Sequence, residues 1–171
     1  MWTILPTLQE VDSTNTYMKS HANELRHCSI VRAEYQSAGR GQFDRQWESS
    51  CGENLLFSML LKSQPISSLG AMRTWLITSL ITWLATFQIN GVFKQPNDIL
   101  VDGKKILGIL IETRQSNEEL QWIVIGIGIN INQLQFQYPL ATSLRALTQQ
   151  EHSIEQCFLS LTQQLAEHYP L

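Results

Sequence analysis

Ile125-Gly126-Ile127-Gly128-Ile129-Asn130-Ile131-Asn132 is the stretch whose reading decides how this chain folds. Successive side chains of a strand point to opposite faces. The isoleucines therefore share one face, β-branched throughout and suited to a core. Gly126, Gly128, Asn130 and Asn132 share the other. Glycine weakens a strand by about 0.5–1 kcal/mol relative to alanine. Two on one face leave space for something else, either a ligand or a closely packed helix. The asparagines favour a ligand, because buried amides need partners.

The neighbouring residues supply the rest of a sheet. Apolar runs at 99–101 and 105–113 flank Asp102-Gly103, the strongest hairpin signal in the sequence. A second hairpin turns near Ser116-Asn117 into the strand 120–132. Residues 92–95 read as a short strand ended by Pro96. Strands are also expected at 29–35 and 54–62, the latter apolar on both faces and so central. Met72, Leu76, Leu80, Trp83, Leu84 and Phe87 recur at helical spacing. They predict a helix over 72–89, stopped by Asn90-Gly91, and threonines interrupt it too often for a membrane span. Asp12-Ser13-Thr14-Asn15 offers N-caps for a helix running to residue 26. Its polar side chains either cap that helix or read a polar ligand. A short helical piece lies around Leu144, and Ser153-Ile154-Glu155-Gln156 is a capping box opening an amphipathic helix.

Totals narrow the class. A length of 171 residues suits one domain with a proper core, and a net charge of −3 gives no general pull toward nucleic acid or anionic membrane. Cys28, Cys51 and Cys157 form no CxxC pair, which points to spare thiols in a reducing cytoplasm rather than to zinc or redox chemistry. The N-terminus lacks the pattern of a signal peptide.

Between the first two long strands lies Gln36-Ser37-Ala38-Gly39-Arg40-Gly41-Gln42-Phe43-Asp44-Arg45-Gln46-Trp47. Gly39 and Gly41 allow close approach of backbone to a ligand. Arg40 and Arg45 carry permanent charge in a fork suited to carboxylate and phosphate. Trp47 can cover an apolar ligand and still donate a hydrogen bond. The loop reads as a cover for a small anion, or as a solvated hairpin tip. Dinucleotide and Walker signatures are excluded: Asp44 and Ile131 stand where a third glycine belongs, and no P-loop is present. The histidines have no metal-ligand spacing, and no serine sits in a GxSxG elbow.

Five motifs in order resemble the biotin protein ligase catalytic domain. They are Ser13-Thr14-Asn15, Glu34 to Gly41, Pro96-Asn97-Asp98-Ile99-Leu100, Lys104 to Glu112, and Gly126-Ile127-Gly128-Ile129-Asn130. The resemblance covers nearly the whole chain. It implies an α+β fold, a mixed and mostly antiparallel sheet with helices packed on it, related to lipoate ligases. It implies the joining of biotin to ATP, with magnesium, as biotinyl-5′-AMP. The biotinyl group then passes to a lysine of a biotin carboxyl carrier domain of acetyl-CoA carboxylase or a related carboxylase. On the matching positions it places Lys105 and Arg40 at the reacting groups. It puts Ser13, Thr14, Asn15, Gln36, Gly39, Arg40, Gly41, Trp47, Gly108, Gly126 and Gly128 around biotin. Arg40, Arg45, Trp47, Asn97, Lys105 and Asn130 fall to the nucleotide, and Asp98 to the metal. Loop closure is expected on biotin binding, to shield the anhydride from water.

Departures accompany the match. Gln95 stands where the family has tryptophan, Gln42 and Phe43 replace a basic stretch, and Leu107 replaces a small residue before Gly108. The chain reads as one catalytic domain, 1–171, without an N-terminal DNA-binding domain or the small C-terminal β-barrel of many members. A non-catalytic binding module and a lipoate or octanoate ligase of the same fold stay open as alternatives. The resemblance allows a homodimer.

Overall fold

The computed structural model describes residues 2–43, 45–117 and 119–170; Asp44, which the exclusion above used, lies outside the described residues. The strands are β1 (Thr3–Ile4), β2 (Leu8–Val11), β3 (Ser29–Gln36), β4 (Leu55–Pro65), β5 (Val92–Lys94), β6 (Asp98–Val101), β7 (Lys104–Ser116) and β8 (Glu119–Ile129). The α-helices are α1 (Thr14–Ser20), α2 (Leu69–Ala85), α3 (Leu144–Thr148) and α4 (Ile154–Glu167). The sheet runs β1-β3-β4-β8-β7-β6-β5, with β2 also on β3. β1 and β2 pair parallel with β3; the other ladders among the described residues are antiparallel. This is the expected α+β architecture with a mixed, mostly antiparallel sheet.

Both expected hairpins form. Asp102 and Gly103 take positive φ angles of 49° and 77°, the twist that a tight β7 hairpin needs, and Asn117 takes 56° at the next turn. β4 is central and buried along most of its length.

The two faces of the sheet are unlike. Ile30, Phe57, Met59, Leu107, Ile109, Ile125, Ile127 and Ile129 face α2 and α4 and form the main core. Trp83 lies inside it, as its place in the helical spacing implied, and Trp75 lies there too. Leu107 belongs to this core, so the bulkier residue at that position does not narrow anything on the opposite face. That other face is covered in part by α1, whose Met18 packs with Val31, Leu60 and Val124.

Helix ends differ from expectation. α1 stops at Ser20 rather than at residue 26, and the chain continues as turns in which Glu24 and Leu25 donate to His21 O. α2 begins at Leu69 and ends at Ala85, before Asn90-Gly91. The left-handed residue that reverses the chain is Gln88, with φ 62°. The Ser153 cap forms as expected, accepting from Gln156 N.

Candidate active site

Register across the central strands builds the site. Leu56 of β4 aligns with Gly128 of β8, which aligns with Gly108 of β7. One row on, Ser58 aligns with Gly126, and Gly126 with Leu110. The next row is Leu60, Val124 and Glu112. All three rows lie on the face opposite the main core, so the glycines make a shallow floor.

What lies on that floor divides between the helix and the loop. Gly126 is covered by α1: a Cβ there would overlap Asn15 Oδ1. Of the two expected occupants, the closely packed helix is the one that lies over this glycine. A Cβ on Gly128 would meet the Trp47 ring at 2.5 Å, and one on Gly108 would meet it at 2.9 Å. Trp47 thus covers two glycines from the loop. It leaves a cavity of about 40 Å³, lined by Ser13, Thr14, Asn15, Gln36, Arg40, Gly41, Trp47, Asn97, Lys105, Gly108, Gly126 and Gly128 among others. That is room for about one water, well short of the 300–1,000 Å³ of ligand pockets. Trp47 Nε1 is buried without a hydrogen-bond partner among the described residues, a cost of about 1–3 kcal/mol in this pose.

The helix-start residues are not caps. Ser13 is the N-cap residue of α1 but makes no side-chain capping bond. Thr14 donates its N–H to Gln36 Oε1 at 2.7 Å, and Asn15 donates to Leu110 O at 3.2 Å and Glu112 Oε2 at 2.9 Å. Ser58 lies within 2.7 Å of Thr14 Oγ1 and 2.6 Å of Asn15 Oδ1. All three of Ser13, Thr14 and Asn15 are buried.

The cations converge on the cavity from two sides. Lys105 lies over the Trp47 ring, 5.2 Å from its centroid, and pairs with Asp98 at 2.7 Å. Its backbone is clamped: Lys105 N donates to Leu140 O, and Thr142 N donates to Lys105 O. Arg40 reaches Glu112 at 3.2 Å. The loop is pinned outside and paired within. Ser37 N and Ala38 N donate to Val11 O and Asp12 O; Trp47 N donates to Gly39 O and Gly41 N to Arg45 O.

The remaining expected residues divide between this cavity and its surroundings. Asn130 donates to Thr142 O at 2.9 Å and weakly to Lys105 O at 3.5 Å, so it holds the chain that holds Lys105. Asn132 bonds both ways with the His152 backbone. The asparagines' partners are thus backbone groups, not an open pocket. Asn97 lines the cavity and donates to Ile109 O. Gly39 and Arg45 line a second, wider cavity of about 580 Å³, which Arg40 and Gly41 share. Among the described residues no cluster of His, Cys, Asp and Glu suited to a metal is present. Asp98, the residue matched to a metal, is paired with Lys105. Sequence reasoning missed Ser58 and Lys19, and gave Glu112 no role. Ser58 is the lone polar residue among buried apolar neighbours in β4, which was a signal available to it.

Comparison with known proteins follows the same lines. Residues 7–130 match the model of the biotin/lipoate A/B protein ligase family. The chain is 35% identical over 131 residues to the bifunctional ligase/repressor BirA of Bacillus subtilis, covering 71% of this chain and 40% of that protein. It is 33% identical to a biotin–[acetyl-CoA-carboxylase] ligase of Paracoccus denitrificans, covering 72% of this chain and 53% of that one. The structure superimposes on a biotin protein ligase from Aquifex aeolicus in complex with biotin and ATP. The TM-score is 0.83 at 28% identity, over 98% of this chain and 70% of that one. The chain thus spans about half or less of the length of these two curated relatives.

Proposed function

The chain belongs to the biotin/lipoate A/B protein ligase family, and from that premise we propose that it activates biotin with ATP and transfers it to a carrier lysine. In the first step the biotin carboxylate oxygen attacks the α-phosphorus of MgATP, and pyrophosphate leaves. In the second, the lysine amine attacks the acyl carbon of biotinyl-AMP, AMP leaves and one proton is released. The observation that carries the reading is the glycine floor of Gly108 and Gly128, roofed by Trp47 with Lys105 at its edge.

The first step sets two anions against each other. Like charges 4 Å apart repel by roughly 4 kcal/mol at an effective dielectric near 20. The Lys105 ammonium and Arg40 guanidinium offset that repulsion, most strongly once water is excluded. Asp98 keeps the ammonium on the pocket edge, and magnesium arrives with the triphosphate, for which Mg²⁺ needs few protein carboxylates. Trp47 withdraws to admit the ring and returns as a lid. Arg45 stands with Arg40 at the wider cavity, on the side we assign to the phosphates.

The test is a streptavidin blot of a biotin carboxyl carrier domain incubated with the chain, biotin and MgATP. Labelling is expected, together with biotin-dependent exchange of labelled pyrophosphate into ATP. Lys105→Ala is expected to abolish exchange. Normal exchange in that variant would remove Lys105 from its assigned role. Binding of biotin with neither exchange nor labelling would identify a binding module, and preference for lipoate in competition would identify the sister activity.

A further inference from the structure

Glu112 ties together groups from separate parts of the chain. It stands on β7, in the row beyond Leu110 and Gly126. Its Oε1 accepts from Lys19 Nζ at 2.7 Å and Arg40 Nη1 at 3.2 Å, and its Oε2 accepts from Asn15 Nδ2 at 2.9 Å. With its nitrogen held between Glu112 and Leu110 O, the Asn15 amide must turn Oδ1 toward Ser58. A serine hydroxyl has a single proton, and an amide oxygen only accepts. Ser58 therefore donates to Asn15 Oδ1, which leaves its own oxygen, 2.7 Å from Thr14 Oγ1, as an acceptor for the Thr14 hydroxyl alongside Gln36 Oε1 at 3.0 Å. Gln36 Oε1 accepts from the Thr14 N–H and competes for the Thr14 hydroxyl proton. Ser58, Thr14 and Asn15 are almost wholly buried, so bulk water does not scramble the order. The sense of the hydrogen bonds from Glu112 through Asn15 to Ser58 follows from one carboxylate.

We infer that Glu112 is a positioning residue: through the Asn15 amide it sets the direction of the buried Ser58 hydroxyl, and with it which acceptor the Thr14 hydroxyl in the pocket wall finds, and so the pocket's choice of ring. The inference rests on the biotin reading above. A ureido ring offers N–H donors and a C=O acceptor. A pocket whose donors and acceptors have a fixed sense rejects a ring with the sense reversed, because buried groups would be left unpaired. Glu112 acts on the ring through Asn15 and not by contact with the groups that react. Lys19, one helical turn beyond Asn15, keeps the carboxylate compensated when Arg40 leaves it for a phosphate.

The test compares biotin with 2-iminobiotin, whose C=NH group replaces the ureido carbonyl, in competition against labelled biotin on the full chain. In Glu112→Gln the preference for biotin is expected to narrow about tenfold, the scale of one misdirected charge-assisted hydrogen bond. A merely structural tie between α1 and β7 would lower both affinities in proportion, and an unchanged ratio would overturn the inference. Should Glu112→Gln fail to fold, Lys19→Met carries the test, with an expected narrowing of about threefold; an unchanged ratio there overturns it equally. A second readout needs no ligand. The Asn15 carboxamide protons are expected to be protected from exchange in the parent chain and to lose that protection in Glu112→Gln. If the parent chain binds neither compound, the biotin reading falls, and the amide signal alone decides the role of Glu112.

Discussion

At the scale of single residues, the two glycines of β8 look alike in sequence but not in the structure. Gly126 lies under Asn15, which is fixed by bonds to Leu110, Glu112 and Ser58. Gly128 lies under Trp47, which belongs to the loop after β3 rather than to a helix. Gly126→Ala is therefore expected to destabilise the fold by about 1–3 kcal/mol, the usual cost of overpacking, and Gly128→Ala by under ~1 kcal/mol. Urea denaturation of both variants checks the order; equal losses would mean that Trp47 is as rigid as α1. The alternation of isoleucine and glycine was legible from strand geometry. The occupant of each gap was not, because it comes from parts of the chain more than 80 residues away. Glu112 adds a pH dependence. Burial pushes its carboxyl up, but hydrogen bonds from Lys19 and Asn15 and the charges of Lys19 and Arg40 outweigh this and leave it below the ordinary value of 4.5. A depressed folded-state pKa contributes stability that is present above the unfolded value and lost as pH falls through the folded one. Acid titration of stability is thus expected to show a loss below about pH 4.5 that is smaller in Glu112→Gln. Superimposable acid limbs would show that the carboxylate has no such linkage.

At the scale of elements, the loop after β3 behaves as a small hairpin on two feet. Its first foot is held by Ser37 and Ala38 on the segment before α1, and its second by Glu48, which accepts from Gln137 N and Gln133. Between them Arg40 bridges Gln46, and Trp47 N donates to Gly39 O. Trp47 sits at the second foot and covers Gly108 and Gly128, so under the function proposed above it must move before biotin enters. Trp47→Ala is expected to raise the association rate of biotin and to raise its dissociation rate further, giving net weaker binding. Stopped-flow kinetics would show it, and an unchanged association rate would mean that the ring is not in the path. The arginines, glycines and tryptophan made the loop readable, since their chemistry is local. Its filled state was not readable, because a ring's position depends on the register of β7 against β8. Helix ends misled for a related reason. Asn90-Gly91 is a fair local stop signal, yet Gln88 turns the chain first at φ 62°. α1 likewise ends at Ser20, where Ser20 Oγ caps back onto Tyr17 O.

At the scale of the molecule, the sheet separates the main core from the candidate site. Hairpins between neighbouring strands were legible from Asp102-Gly103 and Ser116-Asn117, whereas the β3-β4-β8 order and the parallel β1 and β2 edge depend on contacts no local pattern encodes. One face holds the large core with α2 and α4; the other holds the small Met18 cluster and, beside it, the site. Emptying or filling the site therefore leaves the main core untouched, and a ligand should act on stability through mass action alone. Ligand at 100 times its dissociation constant stabilises by about 2.7 kcal/mol. For a chain of this length each kcal/mol moves the melting midpoint by roughly 2–4 °C. Biotin at that excess is expected to raise Tm by about 5–10 °C, and biotin with MgATP by more, because the adenylate adds the Lys105 and Arg40 contacts. In Lys105→Ala the increment from biotin should persist while the further increment from MgATP disappears. A variant that lost both increments together would place Lys105 in the folding of the pocket rather than at the junction of carboxylate and phosphate.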